Sequence, residues 1–241
     1  MTRALVLQHI ACEPPGVFED VMREHAVTLH RVELDEGDSL PDWRGFDLIV
    51  AMGGPMSVND DATLPWLTAE KRLIGEAVRA GMPYWGACLG VQLLAASLGA
   101  RVYTGPEPEV GLLPVELTDA AMQDPIFAGL PPRFTTLQWH GDTFDLPNGA
   151  VRLAGSPAYP NQAFRWGRHA YGVQFHVEVS VHLARQWAEV PEYSTALDRV
   201  LGPGSLPKLI DGLAEQEGAM AEHARAMFGR WLASSVGVAR A

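Results

Sequence analysis

The chain has 241 residues, 47% hydrophobic and 20% charged, enough for one large α/β domain with a buried core and too few for two of full size. Its formal net charge of -11 at pH 7 argues against nucleic acid or an anionic membrane as the main partner and favours a small-molecule substrate. Its two cysteines, Cys12 and Cys88, with no C-x-x-C pair, exclude a disulfide framework and a structural zinc site, and no metal or cofactor is predicted.

The opening Met1-Thr2-Arg3-Ala4-Leu5 leads into a strand-like run, Ala4 to Gln8, without a charged and apolar leader. No stretch of about 18 apolar residues could span a bilayer. Both features predict a cytoplasmic protein. Val17 to His25 has helical spacing, Thr28 to Val32 reads as a second strand, and Asp47 to Met52 as a third, ending in Gly53-Gly54-Pro55. Pro65 to Ala80 is amphipathic, with Trp66, Leu67, Ile74 and Val78 inward and Gly81 as a C-cap. Met82 to Ala87 is a fourth strand, and Cys88 to Leu98 an apolar helix stopped by Gly99. Strands alternating with helices predict βαβ units, and so a mainly parallel, doubly wound α/β sheet. From Arg101 to Val179 the helices thin out. Short runs at Gly111 to Leu117, Phe134 to Gln138, Ala150 to Ala154, Gln162 to Arg165 and Ala170 to Phe175 predict a small antiparallel extension. After Ser180 two helical stretches are expected, parted by Gly202-Pro203-Gly204, the second from Ser205 to about Leu232. The organisation read from this pattern is a domain over 1–180 and a C-terminal helical extension, 181–241, packed upon it.

Gly86-Ala87-Cys88-Leu89-Gly90 lies between a predicted strand and a predicted helix, the nucleophile-elbow spacing with Cys in the central place. Small residues on either side let the chain make so sharp a turn, and the helix N-terminus favours thiolate over thiol. Taken alone, Cys88 is equally well read as a small core residue. The deciding partner is Gln174-Phe175-His176-Val177-Glu178. In an extended segment His176 and Glu178 point the same way, so the carboxylate can fix the tautomer of a base that serves the thiol. His140 is a rival base, or a substrate contact, or structural. Cys12 reads as inert. His9 and Glu13 share its loop and have a possible substrate-side role. Glu107 and Glu109 read as solvated loop charges, and Met220, Met227 and Trp231 as core.

Cys88-Leu89-Gly90-Val91-Gln92, Gly172-Val173-Gln174-Phe175-His176-Val177-Glu178 and Met52-Gly53-Gly54-Pro55-Met56-Ser57 together resemble the class I (triad) glutamine amidotransferases. Trp139-His140-Gly141-Asp142 resembles a segment of the GMP-synthetase-like branch. The resemblance covers roughly residues 4 to 180 and implies the flavodoxin-like fold of that family. It implies Cys88 as nucleophile, His176 as base and Glu178 as its orienter. It implies an oxyanion hole from the Gly54 and Leu89 N–H groups, with Gln92, Trp139 and His140 contacting a glutamine-like substrate. The family's commoner Phe-His-Pro-Glu is replaced here by a segment with Val177, which marks a side branch. No P-loop pattern or other synthase site is recognisable. Three functions stand: a stand-alone hydrolase of γ-glutamyl amides, a glutaminase subunit feeding ammonia to a separate synthase, and a non-catalytic binding or regulatory protein that keeps the fold.

Overall fold

The computed structural model describes residues 1–235; residues 236–241 of the expected C-terminal extension lie outside the described residues. The elements in order are β1 (Arg3–Gln8), α1 (Val17–Glu24), β2 (Thr28–Glu33), β3 (Leu48–Ala51), α2 (Trp66–Arg79), β4 (Tyr84–Ala87), α3 (Leu89–Ser97), β5 (Val102–Leu117), α4 (Asp119–Gln123), β6 (Arg133–Phe144), β7 (Ala150–Gly155), β8 (Ala163–Trp166), β9 (Ala170–Val173), α5 (Val181–Trp187), α6 (Pro191–Leu201) and α7 (Leu206–Ser235). All nine strands belong to one sheet in the order β2-β1-β3-β4-β9-β8-β7-β5-β6.

The central strands β3, β4 and β9 are buried at every position, as expected of parallel strands covered on both faces. Alternate residues serve opposite faces. Ala4, Val6, Val50 and Trp85 meet α1 and α7 through Phe18, Val21, Phe228 and Trp231. Leu5, Leu7, Ile49 and Tyr84 meet α2 and α3 through Ile74, Val78, Leu93 and Leu94. Met220, Met227 and Trp231 are buried, as their spacing predicts.

The sheet is mixed, which corrects the expectation of a mainly parallel sheet with a small antiparallel extension. The β1–β2, β1–β3, β3–β4 and β4–β9 pairs are parallel, while β8–β9, β7–β8, β5–β7 and β5–β6 are antiparallel. The antiparallel part also holds the longest strands, β5 with 16 residues and β6 with 12. Successive strands there are joined by short connections without a crossover helix, and such connections turn the chain back antiparallel. The C-terminal region forms three helices where two are expected. Pro191 stands at the start of α6, where its missing N–H costs nothing, so it separates α5 from α6. Among the described residues no helix is long and apolar enough to cross a membrane.

Candidate active site

Cys88 stands at the N-cap of α3 with φ 52 and ψ -105, a left-handed backbone that is strained for a residue with a side chain. Its N–H donates to Val173 O at 2.8 Å, which ties the turn to β9. The flanking glycines are required by close approach: a Cβ on Gly90 would lie 2.2 Å from Ala51 O, and one on Gly86 would lie 2.5 Å from Gly90 C.

His176 follows β9 in a bent segment and pairs with Leu137 of β6 through backbone bonds of 2.9 and 3.0 Å. The run after Val173 is therefore not a regular strand, and Glu178 reaches His176 by curling back. His176 Nδ1 is 2.6 Å from Glu178 Oε1. The carboxylate accepts, so Nδ1 carries the proton and Nε2 is left for Cys88, with which the ring hydrogen-bonds. Glu178 Oε2 accepts from the Val177 N–H at 3.0 Å, a bond that proline at 177 could not make. Glu178 O in turn accepts from Val17 N at 3.1 Å, so the start of α1 fixes the orienter. Trp187 of α5 sets its ring edge-on to the imidazole at 4.6 Å.

These groups are buried, and their proton affinities shift together. Burial pushes the Cys88 thiol up, against the hydrogen bond and charge of His176. Burial also disfavours the His176 imidazolium, but Glu178 and Cys88 outweigh it and hold the ring well above the ordinary histidine range. Burial raises Glu13, whose carboxyl accepts from the Tyr193 hydroxyl. Burial and Glu13 raise Cys12 to about 11, which keeps that thiol protonated at neutral pH.

Over Cys88 opens a cavity of about 320 Å³, lined by Gly54, Gln92, Trp139, His140 and Tyr193 among others. The expected site residues thus come together: Gly54, Gln92, Trp139 and His140 share the cavity with Cys88, Leu89 packs against Gly54, and His176 and Glu178 stand behind the sulfur. Among the described residues, no backbone acceptor takes the N–H of Gly54 or Leu89. Gln92 Nε2 donates to Gln174 Oε1 at 3.1 Å and to Asp142 O at 3.3 Å. His140 Nδ1 donates to Asp142 O at 3.1 Å, and its Nε2 faces Glu109 Oε2 at 3.2 Å without hydrogen-bond geometry. The ring that bonds Cys88 is His176, so His140 is no rival base in this arrangement.

Three neighbours escape sequence reasoning. Gln174 Nε2 donates to Cys88 Sγ at 3.6 Å; it stands inside the His176 motif, which is the signal that could have found it. Tyr193 comes from α6, where an aromatic at helical spacing reads as packing. Glu109 corrects the reading of a solvated loop charge: it is buried on β5 and accepts from Ser156 and Gln162. Glu107 stays exposed and pairs with Arg199.

Residues 18–187 match the family model "Glutamine amidotransferase class-I". The chain is 33% identical over 177 residues to the glutamine amidotransferase-like protein YfeJ of Salmonella typhimurium, covering 72% of this chain and 74% of that one. It is 34% identical over 171 residues to the glutamine-hydrolysing GMP synthase of Lactococcus lactis, covering 69% of this chain but only 29% of the synthase. Among solved structures, a glutamine amidotransferase of Thermotoga maritima superposes with a TM-score of 0.85 at 33% identity, covering 96% of this chain and 98% of that one. The chain belongs to the class-I glutamine amidotransferase family. Within it the chain resembles the glutaminase part of the GMP synthases and spans less than a third of the Lactococcus synthase.

Proposed function

We propose that the chain hydrolyses a γ-glutamyl amide, either glutamine or a γ-glutamyl compound, through a thioester on Cys88. The observation that carries this reading is the buried relay Cys88–His176–Glu178, with Nδ1–Oε1 at 2.6 Å, at the floor of the cavity. In this reading the Cys88 thiolate adds to the side-chain carbonyl carbon, and the resulting oxyanion accepts from the Gly54 and Leu89 N–H groups. As the C–N bond breaks, the His176 imidazolium gives its Nε2 proton to the departing ammonia or amine. The neutral ring then takes a proton from water, the hydroxide adds to the thioester carbon, and the C–S bond breaks. Glutamate leaves and the thiolate–imidazolium pair is restored. Gln92, Trp139 and His140 hold the substrate's glutamyl part. No step needs a metal or cofactor.

Ammonia supply to a separate synthase is the second reading. It is favoured by similarity to a free-standing glutamine-hydrolysing component of the GMP synthase of Sulfurisphaera tokodaii, 35% identical over 138 residues and 69% covered. A purely binding role is disfavoured by the complete relay. The test is one assay panel on the purified chain and Cys88→Ala: ammonia release from glutamine, and cleavage of γ-glutamyl dipeptides and amines. Cleavage of γ-glutamyl compounds but not glutamine sinks the ammonia-feeding reading. Glutamine hydrolysis that emerges only with an added lysate fraction favours it. Equal rates in both proteins sink the mechanism.

A further inference from the structure

A second buried histidine–carboxylate pair lies beside the relay, and the mechanism above does not use it. His9, in the loop after β1, and Glu70, on α2, are each 0% exposed, and His9 Nε2 meets Glu70 Oε1 at 2.9 Å. Such a pair is expensive to bury unless every hydrogen bond is made. Here Glu70 Oε2 has no partner among the described residues. A pair kept under those terms points to something that depends on it.

The other ring nitrogen shows what that is. His9 Nδ1 lies 3.2 Å from the Gly53 carbonyl oxygen. A carbonyl only accepts, so Nδ1 donates. The Gly53 carbonyl and the Gly54 N–H belong to one peptide unit, and in a trans peptide they point in opposite directions. A donor fixed on the carbonyl therefore sets the tilt of that plane and the aim of the N–H on its far side. It also polarises the unit so that the N–H donates more strongly. Two consecutive glycines cannot hold such an orientation themselves. Nor could bulkier residues replace them: a Cβ on Gly53 would lie 1.9 Å from Glu13 Oε2, and one on Gly54 would lie 2.9 Å from His9 Cβ. Trp66 stacks on the His9 ring at 5.8 Å and 24°. Burial disfavours the charged ring, but Glu70 and the Gly53 carbonyl outweigh it and raise the His9 pKa, which helps to keep both ring protons in place.

We infer that His9, anchored by Glu70, is a positioning residue that aims the Gly54 N–H at the oxyanion. The inference rests on the γ-glutamyl hydrolase reading and extends it to the support of one oxyanion donor. The test uses His9→Leu and Glu70→Gln in the full chain, with four readouts: kcat, KM, affinity for a γ-glutamyl aldehyde, and the rate of Cys88 alkylation by iodoacetamide. The aldehyde adds the thiol across its carbonyl and places an oxygen where the oxyanion forms. Alkylation displaces iodide and forms no oxyanion. For His9→Leu the expected result is a fall in kcat of about 10–100-fold, a matching fall in aldehyde affinity, and KM and alkylation within about 3-fold of wild type. Glu70→Gln shows the same selective pattern with a smaller loss, and decides the matter if His9→Leu fails to fold by circular dichroism. Unchanged kcat in the folded variants overturns the inference. So does an equal loss in alkylation and aldehyde affinity, which marks general damage to the pocket. Failure of the parent reading is distinguishable, because the wild-type chain then shows no Cys88-dependent hydrolysis before any variant is compared.

Discussion

Cys88 sits under opposed influences: burial holds its proton on, while His176 draws it off. Glu178 settles the balance by stabilising the charged ring. Replacing Glu178 with Gln removes that charge and lowers the His176 pKa. Hydrolysis that needs a protonated His176 is then lost at lower pH, so the alkaline limb of the kcat/KM profile moves down in pH. A fall in kcat of about 10²–10⁴-fold accompanies it. A pH–rate profile of Glu178→Gln beside wild type checks both, and an unmoved alkaline limb counts against His176 as the acid. At this scale Cys88, His176 and Glu178 are legible from spacing alone, because turn chemistry and a histidine–carboxylate pair are local in sequence. Gln174 on the sulfur and Glu109 beside His140 are not. Their burial follows from strand pairing between segments more than 50 residues apart, as in the Gln162–Glu109 bond with its separation of 53.

At the scale of elements, the turn depends on three close approaches: Gly90 to β3, Gly86 to Gly90, and Gly172 to Val91, where an added Cβ would lie 2.3 Å from Val91 Cγ2. Gly90→Ala meets backbone, which cannot rotate away. We expect it to lose about 3 kcal/mol in urea unfolding, the upper range for an overpacked core site. Gly81→Ala, with nothing within 4 Å of the added Cβ but φ +88, costs only about 1 kcal/mol from its left-handed backbone. Equal losses at the two positions would contradict the close-approach account. The parallel half of the sheet is legible because each strand is followed by a helix whose period differs from its own. The antiparallel half is under-read because Gly105, Pro106, Pro108 and Pro114 interrupt the apolar alternation of β5, and its register shifts between Thr104 and Glu109. Its partner on β6 runs on to Phe144, so the pairing is set by β6 and not by local pattern.

Across the whole molecule, the C-terminal helices both cover the sheet and complete the site. Trp231 and Phe228 of α7 pack on Trp85 next to the Cys88 turn, at centroid distances of 5.6 and 5.5 Å. Trp187 and Tyr193, from α5 and α6, border His176 and Trp139. Trp231→Ala leaves a large hole at a fully buried position and is expected to cost about 3–5 kcal/mol, read from the denaturant midpoint. A loss near zero would mean that α7 is not part of the cooperative unit. The central claim remains that Cys88 carries the glutamyl group in transit. It is tested most directly by acid-quenching the protein during turnover of a γ-glutamyl substrate, digesting it, and weighing the Cys88 peptide. The account predicts one γ-glutamyl group on Cys88, none in Cys88→Ala, and hydrolysis in that variant lower by at least about 10³-fold. A glutamyl group on another residue, or undiminished hydrolysis in Cys88→Ala, would contradict it.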